Sequence, residues 1–250
     1  MSGAIYMAAS GALLNQKRLE ILSDNLANLN TSGFKETLAY LRVTNSPRAV
    51  DADLERLSRR GPDATRPLYQ ALETRSVFRQ GHLRQTGNPL DLALDGPGFF
   101  CVETPAGVRY TRNGNFTRNL DGELTTHDGY RVLGNGGAIE IGEGGVITVG
   151  AEGGITVDDR YVGQLRMVDF ERPERLERSG QTLFAPGDQV QSDLEHIAVT
   201  QGYLEMSNVE AVRTMTEMIE VLRGYESYQK TIRQLDETTA KVINDVGRTS

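Results

Sequence analysis

Between Ile5 and Leu29 the apolar side chains recur at Ile5, Ala9, Ala12, Leu19, Leu22, Leu26 and Leu29. Steps of three and four, with one gap filled by Gln16, put them on one face of a helix. Small residues (Ala4, Ala8, Ala9, Ser10, Gly11, Ala12) crowd the first half, a face that lets another backbone approach closely. The pattern stops at Asn30-Thr31-Ser32-Gly33, a cluster suited to caps and turns. A second helical period opens at Ser207-Asn208-Val209-Glu210, which has capping-box spacing. Its stripe runs through Val212, Met215, Ile219 and Leu222, then resumes at Tyr225, Tyr228, Ile232, Leu235, Thr239, Val242 and Val246. The step slips near Gly224, which predicts a bend or a change of packing partner. A helix of about 40 residues reaches roughly 60 Å.

Between these helical stretches the period changes. Ser46 to Thr74 shows no confident period; Asp53 to Arg60 could form a short helix, but Pro47, Gly61-Pro62 and Pro67 break the stretch. From Val77 to Ala198 the chain reads as short strands. Leu90, Leu92 and Leu94 alternate with Asp91, Ala93 and Asp95, a pattern expected of a strand whose carboxylates face solvent. Asn113-Gly114, Asp121-Gly122 and Asp128-Gly129 follow, dipeptides preferred in hairpin turns because both positions must accept positive φ. Further strands are predicted at 139–141, 146–149, 155–157 and 165–170. Regular short strands separated by turns suggest a sandwich or barrel.

The expected fold is therefore α+β: long N- and C-terminal helices forming a coiled-coil-like stalk, with an inserted all-β domain, a sandwich or partly open barrel. Residues 1–35 would supply the N-terminal helix of the stalk, 36–76 an irregular connecting segment, 77–200 the β domain and 201–250 the long C-terminal helix. Stalk packing is assigned to Ile5, Leu19, Leu22, Leu26, Val212, Met215, Ile219, Leu222, Ile232 and Leu235. So long an apolar stripe exceeds what one shorter helix and a small β domain can cover, and points to self-association or a larger assembly.

Composition narrows the function classes. A formal charge of −7 argues against a general nucleic-acid binder, which needs a basic face. No run of apolar residues is long enough to span a membrane, and Met1 to Leu14 lacks the charged and apolar regions of a cleavable signal. The lone Cys101 lies in the apolar run Gly98 to Val102 and reads as a buried small hydrophobe. His82, His127 and His196 stand far apart with no ligand at metal-binding spacing. The glycine clusters at 134–137 and 142–145 precede no helix and lack a Gly-Lys-Ser/Thr ending, so tight turns explain them better than phosphate binding. Asn28 to Ala39 has glycine at the sixth place of a calcium loop but Ala39 where the bidentate Glu belongs. No catalytic constellation, cofactor site or small-molecule substrate site emerges.

Three segments carry a resemblance. Ser23-Asp24-Asn25-Leu26-Ala27-Asn28-Leu29-Asn30-Thr31-Ser32-Gly33-Phe34-Lys35 resembles the N-terminal signature of flagellar rod and hook proteins. Gly202-Tyr203-Leu204-Glu205-Met206-Ser207-Asn208-Val209, followed by Met215, Met218-Ile219 and Tyr225-Glu226, is similar to the companion C-terminal motif. In the middle, Gly87 to Leu94, Gly96 to Phe100 and Tyr110-Thr111-Arg112-Asn113-Gly114-Asn115-Phe116 resemble the β domain of the larger members. The resemblance implies a structural, non-enzymatic subunit of the basal-body rod, exported by the flagellar type III apparatus without signal cleavage. Its implied partners are other rod subunits and the rod cap. It marks Asn25, Asn28, Gly33, Phe34, Ser207, Asn208 and Val209 as an assembly motif. Within the family the chain is more similar to proximal than to distal rod members. Two competing readings stay open: a non-flagellar coiled-coil oligomer with a β binding head, and a glycan hydrolase, for which no acid–base carboxylate pair stands out.

Overall fold

A computed structural model of the chain describes residues 2–44, 69–192 and 197–247. The short helix considered at 53–60 and His196 lie outside the described residues. Helix α1 spans Ser2–Ala27 and helix α2 spans Ala211–Gly247. They pack antiparallel. A Cβ on Gly11 would lie 2.6 Å from the Tyr228 ring, and one on Gly224 would lie 2.7 Å from Asn15 Nδ2. The small-residue face of α1 thus does what its composition suggests, admitting a large ring from α2 at close range. Ala8, Ala12, Leu22 and Asn25 of α1 and Thr214 and Val221 of α2 are buried.

The chain leaves α1 through a turn and enters β1 (Thr37–Thr44), which pairs antiparallel along its whole length with β2 (Tyr69–Ser76). Paired strands therefore occupy both ends of the segment read as irregular. Two short strands, β3 (Leu83–Gln85) and β4 (Leu92–Asp95), pair later with the return of the chain. A curled ten-stranded sheet is centred on β5 (Phe99–Thr104). Next to it lie β6 (Gly107–Thr111) on one side and β9 (Arg131–Gly134) on the other. Between those two in sequence come β7 (Phe116–Arg118) and β8 (Leu124–Thr126), and β10 (Gly137–Ala138) folds back on β9. A separate three-stranded sheet holds β11 (Ile147–Val149), β12 (Gly154–Val157) and β13 (Arg160–Gln164). The large sheet is completed by β14 (Met167–Phe170), β15 (Glu177–Arg178), β16 (Leu183–Ala185) and β17 (Gln191–Ser192). Finally β18 (Ala198–Gln201) pairs with β4 and β19 (Tyr203–Glu205) pairs with β3, returning the chain to α2.

Strand β5 explains why Phe99 to Val102 reads as an unbroken apolar run. Alternate side chains enter opposite faces of a strand. Phe100 and Val102 join a cluster with Leu92, Leu94, Phe116, Leu124 and Val132. Phe99 and Cys101 join another with Tyr110, Val168, Phe170 and Phe184. Both faces are covered, so both sets must be apolar. In the second cluster Phe99 meets Phe78 and Phe170 edge to face, with ring centres 5.2 and 5.7 Å apart, an arrangement that suits the ring quadrupoles.

Several expectations need correction. The chain does not form a coiled-coil stalk of two long helices bearing a sandwich or partly open barrel. Its N-terminal helix is short, 26 residues against 37 in α2, and its β part is one curled sheet with smaller sheets around it. The proposed seam also fails in the first half of α2. Val212, Met215, Ile219 and Leu222 remain 79, 48, 51 and 43% exposed, while Thr214 and Val221 are buried. The phase slip at Gly224 has this physical meaning: the apolar stripe before it is not the face that meets α1. The capping box does not close either, because Glu210 reaches Arg79 at 3.0 Å and Ser207 Oγ accepts from Val209 N–H instead. Asp121-Gly122 and Asp128-Gly129 do join paired strands. Asn113-Gly114 joins β6 to β7, which are not partners, so it is no hairpin turn. Asp91 is buried and accepts from Asn88 Nδ2 at 3.1 Å, where a solvated carboxylate was expected.

Candidate functional site

The N-terminal and C-terminal motifs meet. Asn25, near the end of α1, is fully buried and binds Thr37 twice: its Nδ2 donates to the Thr37 carbonyl at 2.8 Å and its Oδ1 accepts from the Thr37 N–H at 2.9 Å. This amide fork replaces a strand partner at the entrance to β1. Asn28 Nδ2 donates back to the Asp24 carbonyl at 2.9 Å, and its Oδ1 accepts from Thr31 Oγ1 at 3.1 Å. Those bonds end the helix and shape the reversal that follows. Gly33 sits at φ +69°, in the left-handed region that favours glycine. Its N–H donates to the Glu205 carbonyl at 2.8 Å, and a Cβ there would lie 2.2 Å from the Asn113 backbone nitrogen. Asn113-Gly114 thus forms a seat for this strap rather than a hairpin.

Beyond Gly33, consecutive side chains are buried against different elements. Phe34 has no exposed surface and carries the Arg178 guanidinium 4.4 Å from its ring centre. Arg178 also donates to the Lys35 carbonyl. Lys35 is fully buried, an arrangement that requires a counter-charge. Its Nζ donates to Glu205 Oε1 at 2.5 Å and to the Arg79 carbonyl at 2.9 Å. Glu205, equally buried, accepts from Gly81 N–H at 2.9 Å on Oε1 and from Arg112 Nη1 at 3.3 Å on Oε2. Arg112 in turn lies over Phe99, 5.4 Å from its ring centre. Burial pulls the Lys35 and Arg112 pKa values down, and the Glu205 carboxylate opposes it in both cases. Burial likewise lowers that of Arg178, opposed by Asp24.

Asn208 closes the joint from the C-terminal side. Its Oδ1 accepts from Glu36 N–H at 2.7 Å, and its Nδ2 donates to the carbonyls of Val77 at 2.8 Å and Arg79 at 2.9 Å. Both amide hydrogens are used. Val209 beside it is buried, whereas Ser207 is partly exposed. Asn25, Gly33, Phe34 and Asn208 are therefore assembled in one buried region, while Ile5, Leu19, Leu22 and Leu26 lie along α1 and Ile232 and Leu235 are half-buried further along α2. The charged core of the joint was not singled out from sequence. Lys35, Glu205 and Arg112 stood inside the recognised motifs, and the signal that could have found them was opposite charge in two otherwise apolar motifs. Arg178 and Gly81 gave no sequence signal.

The joint offers mechanical restraint rather than a reacting group. Among the described residues no cluster of His, Cys, Asp or Glu could hold a metal. Cys101, on the far side of β5, is buried and its thiol is pushed up to about 12, far from a reactive thiolate. No described helix is long and apolar enough to cross a membrane.

Comparison with known proteins accords with this layout. Residues 5–35 match the family model "Flagella basal body rod protein", 93–157 match "Flagellar hook protein FlgE/F/G D1 domain", and 200–245 match "Flagellar basal body rod FlgEFG protein C-terminal". The chain is 34% identical to the flagellar basal-body rod protein FlgG of Agrobacterium fabrum, over 97% of this chain and 99% of that one. It is 31% identical to FlgF of Mesorhizobium japonicum over the full length of both. It is 32% identical to FlgF of Caulobacter vibrioides over 99% of each. Both terminal models end inside or beside the buried joint, and the third covers the strands that seat it. Matches of this extent, to relatives of either name, place the chain in the flagellar basal-body rod protein family of FlgF and FlgG.

Proposed function

We infer that this chain is a structural subunit of the flagellar basal-body rod. The observation that carries the reading, beside the family, is the unused apolar face of α2. Val212, Met215, Ile219 and Leu222 recur at helical spacing and stay exposed although the helix is already packed against α1. Such a stripe on a protein of this family suits contact with other rod components. The motif residues Asn25, Asn28, Gly33, Phe34, Ser207, Asn208 and Val209 act on assembly through the joint, by fixing the angle between helix pair and β body. On this reading residues 1–35 and 201–250 are the assembling parts and 77–200 the outer body. The role is non-enzymatic, and export proceeds through the type III apparatus without a cleaved signal, with the rod cap as a further partner. The proximal position, that of FlgF, is supported by the lack of the distal protein's characteristic insertion after Lys35 and by the run from Tyr228 to Arg248. Relatives named FlgG match about as well as those named FlgF, so that preference rests on those segments alone.

The test is electron microscopy of basal bodies from a strain lacking the gene, complemented with the wild-type chain or with Ile219→Asp. Rods cut short with no hooks, rescued by wild type and not by the variant, are the expected result. A stump that keeps its proximal portion would move the assignment to the distal member. Intact rods and hooks in the deletion strain would sink the rod reading.

A further inference from the structure

Glu36 occupies an unusual place in the joint. It is 8% exposed, between the strap and the first turn of α2. Its backbone is fully engaged, the N–H with Asn208 Oδ1 at 2.7 Å and the carbonyl with Val77 N–H at 2.8 Å. Its carboxylate has no hydrogen bond and no ion pair among the described residues. The charges facing it are Arg79 from the β2–β3 connection and Glu210, Arg213 and Glu217 from α2 and its lead-in. Both guanidinium groups are already committed, Arg79 to Glu210 at 3.0 Å and Arg213 to Glu217 at 3.1 Å. A carboxylate buried beneath two closed ion pairs has lost water and gained no partner, a situation in which the neutral form is preferred.

We propose that Glu36 is a proton-controlled lock on the joint, seating the strap firmly against α2 when its carboxyl is protonated and loosening it when ionised. The step transfers one proton between the carboxyl and solvent. Burial raises the Glu36 pKa; Arg213 and Arg79 pull it back, and Glu217 and Glu210 push it up again. A carboxyl whose pKa is higher folded than unfolded contributes stability that is full below the unfolded value. That stability is lost as pH rises through the folded value, and above it the penalty of the buried charge is present in full. The direction is opposite to that of a salt-bridged carboxylate. It is a property of the single chain and holds whatever the chain assembles with.

Thermal unfolding of the full chain and of Glu36→Gln at about pH 5 and about pH 8 tests this. Differencing the two proteins cancels every other titrating group. The Gln variant is expected to gain on wild type as pH rises, with the gap in Tm opening by a few °C, the scale on which roughly one kcal/mol moves a chain of this size. Amide exchange at Thr37 and Val77 should quicken with pH in wild type beyond the change in intrinsic rate, and not in the variant. A gap that stays constant or closes with rising pH overturns the proposal. Should Glu36→Gln fail to fold, titration of the Glu36 carboxyl by carbon NMR in the wild-type chain decides: a value in the ordinary carboxylate range overturns it, a raised one supports it.

Discussion

The buried triad makes an asymmetric prediction about its own members. Lys35, Arg112 and Glu205 are all essentially inaccessible, so the cluster holds two cations around one carboxylate. Replacing Glu205 by Gln removes the only anion among the three. Two guanidinium or ammonium groups are then buried facing each other, and the new amide presents donors to donors. Losing one partner of a buried pair costs about 3–5 kcal/mol. Lys35→Met has the larger chemical change and the smaller consequence. It leaves Arg112 and Glu205 as a neutral pair at 3.3 Å, and Met fills much of the lysine stem's volume. The Arg79 carbonyl that loses Lys35 still accepts from Asn208 Nδ2 at 2.9 Å, so no acceptor is orphaned. The expected cost is one or two charge-assisted hydrogen bonds less the desolvation recovered, about 1–3 kcal/mol. The chain has no Trp, so equilibrium urea unfolding would be followed by far-ultraviolet circular dichroism, reading the midpoint at unchanged slope. Glu205→Gln should fall well below Lys35→Met. A Lys35 variant at least as damaging as the Glu205 variant, or a Glu205 loss under about 1 kcal/mol, would refute the reasoning that the carboxylate organises the joint.

Two further outcomes are expected. Gly33→Ala must put a methyl 2.2 Å from the Asn113 backbone and hold φ at +69°; a loss of at least about 2 kcal/mol is expected, with amide exchange faster over 25–37 while β5 stays protected. Equal loosening of both regions would show that the strap is not separable from the β body. Cys101, buried and with its thiol at about 12, should resist iodoacetamide in the native chain at mildly alkaline pH and react fully in denaturant; rapid native alkylation would contradict its burial.

Much of the architecture was readable because it follows from side-chain period. The helical stripe of Ile5 to Leu26, the two Asp-Gly turns and the apolar run of β5 are local patterns with local causes. The reading failed where one pattern served two purposes. In α2 the stripe beginning at Val212 is as regular as a packing seam, but period alone does not say which face meets α1; Thr214 and Val221 do, and one of them is polar. Asn113-Gly114 has the composition of a hairpin turn, yet its glycine is there because a Cβ would strike the Leu92 carbonyl at 1.7 Å. The triad was hidden for a different reason. Lys35 and Glu205 are 170 residues apart, and a lysine or glutamate in isolation reads as surface, since charged residues are seldom buried unless paired. Only the fold supplies the pairing.

The placement of those charges bears on how the joint carries force. The helix pair and the β body are linked covalently twice, through the turn after α1 and through the segment before α2. A hinge would open if those crossings could move independently. They cannot do so cheaply, because Asn208 on one crossing binds Glu36 on the other and holds the Val77 and Arg79 carbonyls at the same time. Gly33 N–H on the Glu205 carbonyl and Lys35 on its carboxylate repeat the tie a few residues away. An apolar joint of the same area would be as adhesive but less directional, since hydrophobic contact tolerates sliding. Here a shift of even one residue leaves Lys35, Arg112 or Glu205 buried without its counter-charge, a penalty of several kcal/mol. The ionic core therefore selects one angle between the helices and the body. A subunit that must present the α2 stripe and its outer strands in a fixed relation needs that selection more than it needs extra adhesion.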